Sequence, residues 1–165
     1  MIELKPMDII VVDGIDYNPL HAVIEWRCLD SAVHCAVVKN TQGELYDLKL
    51  FNIKMSNIKD YQDRNYSIHR FKQPFDAEKL IAWCEATFTN DIQYDAIHQW
   101  LLGFVFGMGV KAIADNPNAW TCAEFPYWCF TENGYQLTSK EEILPMPRLF
   151  RYNNNFECIY DSKKI

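Results

Sequence analysis

The sequence lacks several things, and each absence removes a class of protein. No two cysteines have Cys-x-x-Cys spacing, and no His/Cys pattern has the spacing of a zinc site. The longest apolar stretch, residues 100–110, is far short of the ~20 residues that span a bilayer. The opening eight residues lack the basic start, apolar middle and small-residue cleavage site of a secretory leader. The expectation is a soluble, cytoplasmic protein without a transmembrane segment. Its six cysteines make an even count, yet without a leader they are expected to be reduced. Positive charge is also short: 16 Lys and Arg against 22 Asp and Glu give a net charge of −6. No nucleic-acid partner is expected, because phosphate-backbone binding needs clustered Lys and Arg. Glycine numbers only six, and the one glycine-rich stretch, residues 103–109, lacks the Gly-Lys-Ser/Thr ending of a phosphate loop. No metal or organic cofactor is implied, and nothing speaks to oligomeric state.

What is present fits one domain covering residues 1–165. Hydrophobic residues at 49% and charged residues at 23% are ordinary globular usage, and 15% aromatics predict a bulky core. Residues 7–12, 32–39, 44–50 and 66–72 read as strands by their β-branched content and alternation. Residues 21–29 are ambiguous between helix and strand. Residues 76–88 have apolar side chains at helical spacing, residues 95–114 read as a second helix, and residues 120–132 as a third, stopped by Asn133-Gly134. Residues 139–143 suggest a further turn of helix. Pro145 and Pro147 predict extended chain and a last strand at 148–152, before a frayed polar tail from Asp161. Strands first and helices after predict an α+β fold with a small, mainly antiparallel sheet.

The stretch Thr121-Cys122-Ala123-Glu124 carries the most chemistry. Thr-x-x-Glu before an apolar run is a capping box, with Thr121 as N-cap and Cys122 in the first turn. Unpaired N–H groups and the helix dipole there favour an anion, and the thiolate is the nucleophilic form of cysteine. Pro126 resists this picture: four residues after Cys122, it has no N–H for the Cys122 carbonyl. A cysteine nucleophile needs a base and a group to orient that base. His34 sits in the second predicted strand beside small residues, and Asp47 lies thirteen residues on, across a turn at 41–43. Matching strand parity predicts that the two side chains face one another. Glu44 is the rival third member, nearer the turn. A plain core histidine and a capped, packed thiol are the alternative readings of His34 and Cys122. Cys129, two turns beyond Cys122, reads as packed.

The order of these segments resembles the YiiX/YaeF-like amidases, a permuted papain-like branch of the NlpC-type cysteine hydrolases. Pro6-Met7-Asp8-Ile9-Ile10 is similar to the family's opening Gly-Asp strand, with Met7 in place of Gly. Residues 32–38 resemble the Ser-His strand, and residues 45–48 the strand carrying the acidic member, here Asp47 instead of Glu. Gln93-Tyr94-Asp95 resembles the Tyr-Asp ahead of the nucleophile, and residues 121–125 the Cys-Ser-Glu motif, with Ala123 for serine. Leu144-Pro145-Met146-Pro147 resembles a return segment. The resemblance implies a circularly permuted papain-like fold and a Cys122–His34–Asp47 triad acting on an amide or isopeptide through an acyl-enzyme. It also implies that Tyr94 contacts substrate. A peptide, amide or acyl substrate is the expected partner. A lipid acyl hydrolase or acyltransferase of the same fold, and a binding or structural protein that has lost turnover, remain alternatives. Residues 100–110 are expected to pack internally or wall a cleft.

Overall fold

The computed structural model describes residues 2–15, 21–22, 25–26, 29–49, 52–88, 93–94, 119–138 and 145–164. Strands β1 (Ile9–Asp13), β2 (Ala32–Val38), β3 (Glu44–Lys49), β4 (Asn52–Asn57), β5 (Tyr66–Phe71) and β8 (Phe156–Asp161) form one sheet in the order β4-β3-β2-β1-β5-β8. Every pairing in it is antiparallel. Strands β6 (Gln93–Tyr94) and β7 (Ala119–Trp120) make a separate parallel pair. Helices α1 (Ala77–Phe88), α2 (Glu124–Glu132) and α3 (Arg148–Tyr152) complete an α+β fold.

Alternation along the strands gives the sheet two apolar faces. Ile9, Val11, Cys35, Val37, Tyr46 and Leu48 face the helices and pack with Leu80 and Cys84 of α1, Phe125 and Phe130 of α2, and Phe150 of α3. The predicted bulky core is here: Phe71, Phe130 and Phe156 lie with ring centroids 5.0–5.7 Å apart. Ile10, Val12, Ala36, Val38, Leu45 and Ile68 form the opposite face under Tyr61, which ends a 3-10 turn at Ile58–Tyr61. By parity His34 and Asp47 belong to this second face, whereas Cys122 belongs to the helix side.

Two polar ties hold the sheet's ends. Asp8, buried at the start of β1, takes both arms of Arg70 on β5 at 2.7 and 2.8 Å. Met7 beside it has φ 70°, the left-handed region in which glycine is at ease. At the other end Arg151 joins Asp13 and Asp30, and Lys163 reaches Asp13 at 2.7 Å.

Several expectations need correction. Residues 148–152 are helix α3, not a strand. Pro147, with φ −52° and ψ −35°, already has helical angles, and its carbonyl accepts from the Phe150 N–H. The last strand is instead β8, and Ser162–Lys164 after it are not frayed but form a 3-10 turn anchored by Lys163. Strand β4 was not anticipated, because Asn52-Ile53-Lys54-Met55-Ser56-Asn57 carries little β-branched content. Regular helix begins at Glu124 rather than residue 120, and residues 119–120 are strand. The expected helices at 95–114 and 139–143, most of the ambiguous stretch 21–29, and the reading of residues 100–110 lie outside the described residues.

Candidate active site

Asp47 sits mid-strand in β3 with its side chain fully buried. A buried carboxylate is tolerated only when its oxygens are filled, and these are. Oδ1 lies 2.8 Å from His34 Nε2. Oδ2 accepts from Ser56 Oγ at 2.6 Å and from Tyr61 OH at 2.7 Å, and Lys49 Nζ lies 3.0 Å away. The strands explain the meeting. Val37 pairs with Tyr46, so the same register sets Ala36 opposite Asp47 and His34 diagonally beside it. The Ala36 methyl leaves room for the imidazole. Tyr61 also stacks near the ring of His34, with centroids 6.2 Å apart and planes at 27°.

Cys122 interacts with His34 of this pair by charge and hydrogen bond. Among the described residues the β2–β3 ladder runs only through Val37↔Tyr46 and Val38↔Leu45. The Val38 N–H donates to Asp8 on the β1 side. Alternation then directs the Cys35 N–H, three residues earlier, to the β3 side, where the ladder has ended. Hydrogen bonding from the Cys35 backbone is one of the causes that lower the Cys122 thiol.

The capping box is formed as the spacing predicts. Thr121 N donates to Glu124 Oε2 at 2.7 Å, and Glu124 N donates to Thr121 Oγ1 at 3.2 Å. The Thr121 carbonyl accepts the first helical bond, from Phe125 N. The next bond would come from residue 126, and Pro126 cannot give it. The Cys122 carbonyl instead accepts from Cys35 Sγ at 3.0 Å. The proline that interrupts the helix thus leaves Cys122 on a turn ahead of α2, its carbonyl tied to the sheet.

The electrostatics follow from these contacts. Hydrogen bonding from the Cys35 thiol, helped by the charge and hydrogen bond of His34 and by the Cys35 backbone, outweighs burial and holds the Cys122 thiol well below its ordinary value. Burial pulls His34 down, but the Cys122 and Asp47 charges and hydrogen bonds lift it to about 9. Burial raises Asp47, yet the His34, Ser56 and Tyr61 contacts win and hold it below the usual carboxylate range. Cys35 is pushed up by burial and by the anionic character of Cys122. The arrangement therefore favours a Cys122 thiolate beside a His34 imidazolium. Nε2 is taken by Asp47, so Nδ1 is the ring nitrogen left to face the sulfur.

The structure thus brings Cys122, His34 and Asp47 together. Glu44 lies at the turn, where it accepts from Asn40 Nδ2 and is exposed, away from His34. Tyr94 pairs by backbone with Trp120, two residues ahead of Cys122; its side chain is outside the described residues. Cys129 is packed, 3.5 Å from Cys84 Sγ. Sequence reasoning missed Ser56 and Tyr61 because β4 was unread, and it missed Cys35 as a partner of Cys122. The signal for Cys35 was Pro126, which leaves a carbonyl needing a donor. The five described cysteines are free thiols.

No protein-family model matches the chain, and no curated protein matches it. Among solved structures, it is similar to the crystal structure of metalloprotein yiiX from Escherichia coli O157:H7. The TM-score is 0.69 at 10% identity, over 97% of this chain and 98% of that one. At that identity the likeness shows a shared fold: the chain has a YiiX-like α+β fold along nearly its whole described length. That neighbour is described as a metalloprotein; among the described residues here no group of three or more His, Cys, Asp or Glu could hold a metal ion. Nor is any described helix long and apolar enough to cross a membrane.

Proposed function

We propose that the protein is a cysteine hydrolase of permuted papain-like type that cleaves an amide or isopeptide bond. The observation that carries this reading is His34 held between a buried carboxylate and a thiol whose ionisation it favours. Cys122 Sγ attacks the acyl carbon, and the Cys122 N–H, on the turn before α2, is offered to the developing oxyanion. The imidazolium of His34 gives its proton to the departing amine as the carbon–nitrogen bond breaks. The acyl group then sits on Cys122. His34, now neutral, takes a proton from water, and the hydroxide displaces the thiolate and releases the acid. Asp47 holds the tautomer and stabilises the imidazolium; Ser56 and Tyr61 hold Asp47. Tyr94, brought beside the Cys122 segment by the β6–β7 pairing, is assigned to the substrate cleft.

The test is a panel of peptide, isopeptide, simple amide and ester substrates, each run with Cys122→Ala as control. Hydrolysis of an amide or isopeptide, abolished in Cys122→Ala, is the expected result. Turnover confined to lipid esters assigns the chain to the acyl-transfer alternative, and Cys122-independent turnover removes the mechanism.

A further inference from the structure

Hydrolysis leaves one buried thiol beside the nucleophile without a chemical step of its own. Cys35 is only 1% exposed, on β2 next to His34, and its Sγ donates to the Cys122 carbonyl. Hydrogen bonding from the Cys35 side chain and main chain is also among the causes that hold the Cys122 thiol below its ordinary value. Two cysteines 87 positions apart are thereby held together at the seam between the sheet and the turn before α2, the sulfur of one 3.0 Å from the carbonyl oxygen of the other. A packed cysteine needs no such partner; an alanine or valine fills the space as well.

The other described cysteines are placed differently. Cys84 and Cys129 face one another at 3.5 Å, between α1 and α2, with no imidazole partner among the described residues. Cys158 is exposed on β8, and its thiol donates to the Tyr160 carbonyl. An oxidant that meets the Cys122 thiolate therefore leaves the oxidised sulfur on the residue that the Cys35 thiol already touches.

We propose that Cys35 and Cys122 form a reversible disulfide when the protein meets hydrogen peroxide, making Cys35 the resolving thiol that shields the nucleophile from over-oxidation. The proposal rests on the reading of Cys122 as the reactive thiol. The first step transfers one oxygen: the Cys122 thiolate attacks peroxide, the O–O bond breaks, and the departing hydroxide takes a proton to become water. Cys122 is then a sulfenic acid. In the second step Cys35 sulfur attacks Cys122 sulfur, the S–O bond breaks, and the leaving hydroxide takes the Cys35 proton to become a second water. Two thiols and one peroxide give one disulfide and two waters. A dithiol such as dithiothreitol returns both thiols by exchange.

The experiment treats the full chain with hydrogen peroxide in the presence of dimedone, which traps sulfenic acids, and maps the non-reduced peptides by mass spectrometry. In the wild-type protein the Cys35–Cys122 linked peptide should be the main product. It should be two hydrogens lighter than the sum of its parts and disappear on dithiothreitol treatment. In Cys35→Ser and Cys35→Ala the dimedone adduct and the sulfinic acid of Cys122 should rise several-fold. Wild-type mapping decides the matter even if both variants fold poorly. The proposal is overturned if wild-type Cys122 is recovered as adduct or sulfinic acid with Cys35 still reduced. It is also overturned if the only link is Cys84–Cys129, or if Cys122 resists peroxide. The disulfide readout needs no turnover, so the two readings fail separately. A linked peptide without any hydrolysis removes the hydrolase and keeps the switch. Cys122-dependent hydrolysis without the link does the reverse.

Discussion

Asp47→Asn keeps the shape of the side chain that holds His34 and removes its charge. In the native site one oxygen meets His34, and the other meets Ser56, Tyr61 and Lys49. The amide has one acceptor and one donor, so one of these sides must lose. If the amide nitrogen takes the Oδ2 place, it faces two hydroxyls and an ammonium; the hydroxyls can turn, but Lys49 cannot accept. If it takes the Oδ1 place, it demands the His34 tautomer that puts the proton on Nδ1, opposite to what a neutral base needs. Either way the imidazolium loses a charge-assisted hydrogen bond, worth about 1.5–3 kcal/mol. At 1.36 kcal/mol per unit, that lowers the titration of His34 by about 1–2 pH units and narrows from above the range in which the Cys122 thiolate has its imidazolium. The assay is the pH titration of the His34 ring followed by NMR. Asp47→Asn should move it downward by that amount. Ser56→Ala, which removes one of several bonds to Oδ2, should move it less. An unchanged titration in Asp47→Asn would mean that Asp47 does not hold the charge of His34, and the orienting role would fall.

Three further outcomes follow from the same structure. Hydrolysis should have a plateau bounded below by the depressed titration of Cys122 and above by His34, falling as pH rises through about 9, where the imidazolium is lost; a pH–rate profile with no alkaline limb before about 10 would contradict the His34 environment. His69 is buried against Ser67, and burial, with help from Arg151, lowers it to about 4. A lowered base binds fewer protons folded than unfolded. Its stabilisation is therefore whole above about pH 6.5 and lost towards pH 4, a span worth about 3 kcal/mol. Urea unfolding of wild type and His69→Gln should show this loss in the wild type alone, and an equal acid loss in both would refute it. The comparison isolates His69, because His34 and Cys122 add the same slope to each protein. Met7→Gly should relieve about 1 kcal/mol of left-handed backbone strain but forfeit a fully buried side chain worth about 2–5 kcal/mol. The variant should unfold at lower urea than wild type, and a stabilised variant would overturn that balance.

The parts legible in the sequence were those in which local pattern and tertiary demand agree. Residues 32–38 alternate and carry β-branched side chains, so β2 and the parity of His34 could be read directly. Thr121 and Glu124 specify their own hydrogen bonds, so the cap ahead of α2 could be read as well. What could not be read depended on partners distant in the chain. Strand β4 has weak intrinsic preference and exists because β3 offers a full ladder from Glu44 to Lys49. Its loss from the reading hid Ser56 and Tyr61, two of the groups that fill Asp47. Before segment 148–152 the prolines suggest extended chain by sequence alone. Pro147 is instead at the helix entry, where its missing N–H costs nothing. Cys35 was passed over because a small buried thiol is ordinary in a strand; only the carbonyl freed by Pro126 distinguishes it.

The central claim is that one thiol is activated by one histidine, and competition among the cysteines tests it most directly. The folded protein is exposed to limiting iodoacetamide at about pH 6, well below the free-thiol value of about 8.5. Quantitative peptide mapping then ranks all six sites. Cys122 should label first, ahead of the exposed Cys158, and His34→Ala should remove that lead. If Cys158 labels as fast as Cys122, or if His34→Ala leaves the ranking unchanged, the protein holds no activated Cys122–His34 pair.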